Sequence, residues 1–304
     1  GPGTPGVLVA RREVFTNRVP DVPGGGTVSY VNPEAHGYLP DIEHREEGGT
    51  PAIIESIRAG LVFQLKKAVG VDVIREHEER FVRRAIASWE ANPNIYVLGN
   101  HDAERLSIVS FVIKHGDNGF LHHNFVVALL NDLFGIQSRG GCSCAGPYGH
   151  RLLGIDLEQS HEFEREVGRG CEGIKPGWVR LNFNYFIDDD TFDYLVEAVA
   201  FVANRGAELL ANYRFEPQSG LWLHRNPRLV PMSLNDISYN SDGLHYEDHR
   251  TRLGNAPLSD FISQAHDIAD AEAGNTPLQP PSTTEDFEHL RWFPYPAECG
   301  VGVK

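Results

Sequence analysis

A change in the spacing of apolar residues near Asn94 constrains the fold of this 304-residue chain more than any other feature. Before Asn94, apolar residues recur three and four positions apart, as they do on one face of a helix. After it, short runs rich in β-branched and aromatic residues alternate with further helical segments. The pattern therefore predicts an α/β chain in which two helices lead into an α+β domain.

Local signals predict the individual elements. Thr50 is a good N-cap for a helix with Pro51 at its first position, and Gly70 supplies the stop. The glycine-rich opening should lead into a buried strand over 7–9, and the glycines at 24–26 should allow close backbone approach. Further helices are expected over 73–91, 120–134 and 191–206, and further strands over 95–98, 106–113, 136–141 and 178–184.

The last third of the chain has weaker signals. Periodicity fades after Gly206, and residues 275–284 have the composition of a linker. The aromatic segment at 292–296 is predicted to pack back on the surface rather than to bind a partner.

Composition limits the classes of protein that the chain can belong to. With 41% hydrophobic and 23% charged residues it can bury a large core, and no apolar run approaches the roughly 20 residues that span a membrane. We therefore expect a soluble cytoplasmic protein. The net charge of −15 disfavours nucleic acid as a partner. Four cysteines are too few for a disulfide framework, and the histidine patches at 36–44 and 122–123 are interpreted as solvated surface.

The segment from Ser138 to Gly149 is the most unusual in the sequence, because two thiols lie on a small-residue loop after a predicted strand and near an arginine. A positive neighbour and exposure would favour the thiolate, which is the nucleophilic form. Cys142 and Cys144 could instead be small buried hydrophobic residues. Zinc is a weaker alternative, because Cys-x-Cys is not the usual ligand spacing. Its further ligands would be His150, His161 or Cys171.

Two other places could bind anions. The helix that opens at Gly49 and Thr50 offers free backbone N–H groups, although every helix start does so. Arg180 lies between apolar residues on a predicted strand and needs a partner. That partner is either an internal carboxylate or the carboxylate of a substrate.

Four segments in fixed order carry a resemblance to a known family. They are Gly1-Pro-Gly-Thr-Pro-Gly6, Gly24-Gly-Gly26, Gly48-Gly-Thr-Pro51, and Arg139-Gly-Gly-Cys-Ser-Cys-Ala145 followed by Val179-Arg180-Leu181. Together they resemble the C-terminal part of class V, fold-type I pyridoxal-phosphate enzymes, in particular cysteine desulfurases and selenocysteine lyases. The resemblance covers roughly residues 1–206.

The resemblance implies an architecture. Residues 1–90 would be the C-terminal remnant of a large parallel-sheet, cofactor-binding domain, residues 91–206 a small α+β domain, and residues 207–304 a family-specific tail. In the family, the lysine that holds the cofactor stands just upstream of the glycine-rich run that begins here at Gly1. That lysine is therefore expected to be missing from this chain, which alone should be inactive.

The resemblance also implies a chemistry. Gly49 and Thr50 match residues that reach the pyridoxal 5'-phosphate of the partner subunit in a homodimer. Arg139 and Arg180 match substrate-binding arginines, and Cys144 matches the cysteine that accepts sulfur from a cysteine substrate, which leaves alanine. A sulfur-acceptor protein is a further possible partner, and no metal, nucleic acid or membrane is expected. Alternatives are another class V reaction, such as an aminotransferase or amino-acid lyase in which Cys144 is not catalytic, or a fragment without activity.

Overall fold

The computed structural model describes residues 3–116, 119–142, 146–226, 233–247, 256–272 and 274–298. The chain divides into two units, Gly1–Ile74 and Arg75–Lys304. The structure is of mixed α/β class, as the sequence predicts.

Among its described residues, the first unit contains one small hairpin, two helices and the first residues of helix α3 (Val71–Glu90), which continues into the second unit. Strands β1 (Val28–Val31) and β2 (His36–Tyr38) pair antiparallel, and helices α1 (Ile42–Arg45) and α2 (Ile53–Val69) follow. None of the residues of α2 is buried.

Two predictions for this unit are wrong. Residues 7–9 form no strand and are exposed, because the described residues offer no neighbouring strand to pair with them. Helix α2 begins at Ile53 with Ala52 as its N-cap, and its first bond runs from Ser56 N–H to Ala52 O at 2.8 Å. Thr50 is not the cap, because the helix begins three residues after it and the N-cap is the residue directly before the first helical one.

The second unit is built on an antiparallel sheet in the order β3-β4-β7-β6, with β5 paired to β4. Its elements up to the tail are helix α3 (Val71–Glu90), strands β3 (Ile95–Val97), β4 (Ile108–His115) and β5 (Gly119–Phe120), helix α4 (His123–Phe134), strand β6 (Arg139–Gly141), helices α5 (Gly146–Leu153) and α6 (Leu157–Gly168), strand β7 (Trp178–Asn182) and helix α7 (Asp189–Arg205). The predicted strands and helices of this region are confirmed, with ends that differ by a few residues.

The two faces of this sheet have different surroundings. On one face Val109, Phe111 and Val179 are buried in the main core with residues of α3, α4 and α7. On the other face Trp178 packs with Leu98 and Val112 in a smaller cluster. Because side chains alternate along a strand, Arg180 shares the face of Trp178 and points away from the main core.

The described residues of the tail add two hairpins and two helices. They are β8 (Tyr213–Glu216) with β9 (Leu221–His224), β10 (Ile237–Asn240) with β11 (Gly243–Tyr246), α8 (Leu258–Glu272) and α9 (Glu285–Leu290). Helix α8 was not predicted. Phe293 and Tyr295 are buried in the main core, so the prediction that the aromatic segment packs back is confirmed. In the described part of the chain, no helix combines the length and apolarity needed to cross a membrane.

Candidate functional site

Arg139 and Arg180 lie directly opposite each other on the adjacent strands β6 and β7. Directly opposed residues have Cβ atoms about 4.5–5.5 Å apart on the same face of the sheet. Ser110 of β4 is the next residue in the same row. Within the described residues, neither guanidinium group makes an ion pair or a hydrogen bond. Two like charges placed in this way repel each other, so the pair favours a bound anion.

Burial supports this interpretation of the pair. Arg139 is exposed and Arg180 is half-buried, so both can reach a ligand from solvent. A carboxylate can accept paired hydrogen bonds from a planar guanidinium. The internal carboxylate considered as a partner for Arg180 is absent from the described part of the chain. The two guanidinium groups are therefore both accessible and without an acidic partner among the described residues.

The cysteines near β6 differ in exposure and in whether they lie within the described residues. Cys142 follows β6 directly, is exposed and is a free thiol. Cys144, the predicted sulfur acceptor, lies outside the described residues. Cys171 is a free, half-buried thiol, and burial raises its pKa, which lowers its reactivity at neutral pH. No group of three or more metal-ligating side chains occurs among the residues that the structure describes.

The glycine at the end of Gly-Pro-Tyr-Gly has a packing role. A Cβ atom at Gly149 of α5 would lie 3.1 Å from two ring carbons of Trp178. A side chain at this position would require the Trp178 ring to shift by a few tenths of an ångström, because a contact at this distance is tighter than normal packing. Gly149 therefore holds the start of α5 against the strand that carries Arg180.

In the first unit, a glycine-rich turn precedes α2. A Cβ atom at Gly48 would lie 2.6 Å from Val22 O, so only glycine fits there. Gly49 has a φ angle of 85° and donates its N–H to Gly25 O at 2.8 Å. The two glycine segments of the sequence resemblance, Gly24–Gly26 and Gly48–Gly49, are thus packed together.

The residues after this turn fit a phosphate group. Thr50 is exposed, and its hydroxyl makes no hydrogen bond within the described residues. No side chain caps α2, so the N–H groups of its first turn and the positive end of its dipole are available to an anion. The Gly49 N–H is already bonded to Gly25, so Gly49 contributes the turn and the open space above it rather than a donor.

The interpretation of His122 and His123 as solvated surface is wrong. Both are buried, with 1% and 6% of their surface exposed. His122 Nδ1 accepts the N–H of Asn124 at 3.1 Å, and His122 Nε2 lies 3.0 Å from Gly173 O. Its ring stacks on Trp292, with centroids 5.2 Å apart. The sequence could not show this burial, because the covering aromatic residue comes from the tail.

Comparison with known proteins identifies the family. A family profile described as "Aminotransferase class-V" matches residues 1–160. The chain belongs to this family. Arg139 lies within the matched residues of the class-V aminotransferase profile, whereas Arg180 and the tail lie beyond them.

Among curated proteins, this class-V chain is 30% identical over 147 residues to a cysteine desulfurase of Dickeya dadantii. It is 29% identical over 148 residues to a protein of Streptomyces coelicolor described as "Probable cysteine desulfurase". Each match covers 48% of this chain and 34% of the relative. The chain therefore spans about a third of the length of these relatives.

A solved apo structure of a cysteine desulfurase from Thermococcus onnurineus has a similar fold. The TM-score is 0.51 at 23% identity, and the similar region covers 64% of this chain and 42% of that structure. At this identity the similarity establishes the fold, which is that of fold-type I pyridoxal-phosphate enzymes. Membership of the family implies pyridoxal phosphate as the cofactor.

Proposed function

We propose that this protein is a pyridoxal-phosphate-dependent cysteine desulfurase, which transfers the sulfur of L-cysteine to Cys144 and releases alanine. The observation that carries the proposal is the pair Arg139 and Arg180, which lie opposite each other in the sheet without an acidic partner among the described residues. The similarity of the chain to two cysteine desulfurases supports the choice of reaction.

Thr50, Gly49 and the first turn of α2 would hold the phosphate of the cofactor. Thr50 would donate its hydroxyl, and the backbone N–H groups of the turn would add weak positive charge. When bound, pyridoxal phosphate supplies an electron sink for the bond that breaks at the Cα atom of the substrate.

Arg139 and Arg180 would bind and orient the substrate carboxylate. Each charge-assisted hydrogen bond contributes about 1.5–3 kcal/mol, and a planar fork also fixes the direction of the ligand. The positive charge of Arg139, five residues before Cys144 in the sequence, would also favour the thiolate form of that cysteine.

Cys144 would accept the sulfur as a thiolate. Its sulfur forms a bond to the substrate sulfur while the carbon–sulfur bond of the substrate breaks. The electron pair of that bond stays with the carbon, which takes up a proton, so alanine leaves and Cys144 carries a persulfide. A sulfur-acceptor protein would then remove the outer sulfur.

We further propose that the protein acts as a homodimer in the cytoplasm, with Thr50 reaching the cofactor phosphate of the partner subunit. The exposed apolar side chains of α2, such as Ile54, Leu61 and Phe63, support an association surface in this unit. The free thiols Cys142 and Cys171 agree with a reducing compartment. Sedimentation at increasing concentration tests the assembly, and a monomer at all concentrations would contradict it.

The test of the reaction is the production of sulfide and alanine from L-cysteine by the intact protein supplied with pyridoxal phosphate; the 304-residue chain alone should be inactive. Cys144→Ala should abolish sulfide release, and Cys142→Ala is the matched control that should retain it. Full activity of Cys144→Ala together with loss in Cys142→Ala would show that the acceptor is misassigned. Conversion of cysteine to a keto acid without sulfide would instead identify a transaminase, in which Cys144 is not catalytic.

A further inference from the structure

Strand β6 lacks a side chain on its core-facing side. Gly140, its middle residue, pairs with the buried Val179 and faces the same way, opposite to Arg139. A Cβ atom at Gly140 would lie 2.6 Å from Asn124 Oδ1 and 3.2 Å from His123 Nδ1. The backbone of β6 therefore rests directly on these two residues of α4.

A second glycine brings His123 against the end of the same strand. A Cβ atom at Gly177 would lie 2.6 Å from the carbonyl carbon of Gly141 and 2.7 Å from His123 Cδ2. The ring of His123 thus meets Gly141 and Gly177, and no space for a methyl group is left between them. The ring of His123 therefore lies directly against the end of β6 and the residue before β7.

Polar groups surround the ring of His123. Its Nδ1 lies 3.0 Å from Asn124 Oδ1 and its Nε2 lies 3.3 Å from Lys175 O, and a neutral ring donates its single N–H to one of these two oxygens. Asn124 donates its amide to Gly220 O at 2.8 Å, which orients its Oδ1 toward the ring. Burial lowers the pKa of His123, so the ring remains neutral at physiological pH.

We propose that His123 is a positioning residue for Arg139, which it keeps opposite Arg180 by supporting β6 from the core side. This inference rests on the proposed function, in which the two arginines bind the substrate carboxylate. Among the described strands β6 pairs with β7 alone, so the support beneath it helps to decide where its side chains lie. Removal of the ring lets β6 move, while Arg180 stays on a strand paired on both sides.

The experiment uses the 304-residue chain with His123→Ala, and with Val202→Ala as a control for the loss of a buried side chain on another helix. Hydrogen exchange of residues 139–141 reports on β6. Phenylglyoxal labelling of the arginines, mapped by mass spectrometry with and without L-alanine, reports on the carboxylate site. In the unaltered chain, L-alanine should protect both Arg139 and Arg180.

In His123→Ala, exchange of residues 139–141 should rise about tenfold relative to Val202→Ala, the factor expected for losing a hydrogen bond or two with their packing. L-Alanine should no longer protect Arg139, and protection of Arg180 should persist at least in part. A general loss of stability would affect both arginines and both variants alike. If His123→Ala does not fold, Gly140→Ala displaces β6 from the same side and should give the same selective loss.

Two results separate this inference from the function on which it rests. The role of His123 would be overturned if His123→Ala matched the Val202→Ala control in two measurements, the hydrogen exchange of β6 and the protection of Arg139 by L-alanine. An unaltered chain in which L-alanine protects neither arginine, while exchange of β6 still rises in His123→Ala, would refute the carboxylate site. In that case the support of β6 by His123 would stand.

Discussion

Helices α2 and α4 have similar apolar periodicity and opposite environments. Helix α4 buries six of its twelve residues, five of them in the main core, whereas α2 buries none of its seventeen. Leu129 of α4 is fully buried, and Leu61 of α2 is 58% exposed. Periodicity therefore indicates that a helix has an apolar face, and the residues packed against that face decide whether it is buried.

The same contrast applies to the two candidate binding sites. Arg180 stands on a central strand of a sheet whose other face is a packed core, so its position is set before any ligand binds. Thr50 lies on an exposed segment with no hydrogen bond from its hydroxyl within the described residues. We expect substitutions in the second unit to have larger effects, and four experiments test this expectation in order of decreasing effect.

The largest difference should appear between Leu129→Ala and Leu61→Ala. Removal of the buried side chain should lower the free energy of unfolding by about 2–5 kcal/mol, because it leaves a cavity in the core. Removal of the exposed one should change it by less than about 0.5 kcal/mol. Urea denaturation of both variants measures the two values. Equal losses in a monomeric sample would mean that α2 is covered in solution, and the comparison would fail.

Arg180→Lys tests whether the packed sheet presents a carboxylate site. Lysine keeps the charge but loses the paired hydrogen bonds, so the KM for L-cysteine should rise roughly ten- to hundredfold. Arg214→Lys is a suitable control, because Arg214 is an exposed arginine that pairs with Glu216 at 2.8 Å. An unchanged KM in Arg180→Lys would indicate a structural role for that arginine.

Histidines in the two units should affect stability with opposite dependence on pH. Burial lowers the pKa of His122 well below its ordinary value of about 6.5, and His123, the neighbouring titratable group, lowers it further. Between the two pKa values the unfolded chain binds more protons than the folded one. The contribution of His122 to stability is therefore complete above a pH of about 6.5 and falls as the pH drops toward the lowered pKa of the folded state. A hydrogen bond to Asp41 raises the pKa of the exposed His44, so its small contribution is present at low pH and is lost as the pH rises.

The variant His122→Asn measures the buried contribution, because asparagine can still cap α4 but does not titrate. Its stability should be lower overall and should depend less on pH below about 6.5 than that of the unaltered chain. His44→Gln removes the small contribution that is present at low pH, so it should not reduce the acid sensitivity of the stability curve. A His122→Asn curve parallel to that of the unaltered chain would assign the acid sensitivity to other groups.

Thr50→Val should have the smallest effect. It removes one hydroxyl from the proposed phosphate site, which should weaken the binding of pyridoxal phosphate by up to about tenfold. Thr50→Ser keeps the hydroxyl and should bind the cofactor as the unaltered chain does. Equal affinities for the valine and serine variants would remove Thr50 from the phosphate site and leave only the backbone of α2.

Sequence reasoning was most accurate where the signal was local. The spacing of apolar residues predicted β7 and α7 to within a few residues, and Gly70 ends α2 as expected. It was wrong for residues 7–9, which are not a strand and have no strand paired with them among the described residues. It was also wrong for Thr50, because α2 begins at Ile53 and its N-cap is Ala52.

The sequence by itself determined that Arg139 and Arg180 lie on strands and that a glycine-rich turn precedes α2, because backbone preference and side-chain alternation depend on neighbouring residues. Only the tertiary structure decided that the two arginines are opposite each other, since register depends on how distant strands pair. It also decided that His122 and His123 are buried, because their cover comes from Trp292, about 170 positions away in the chain.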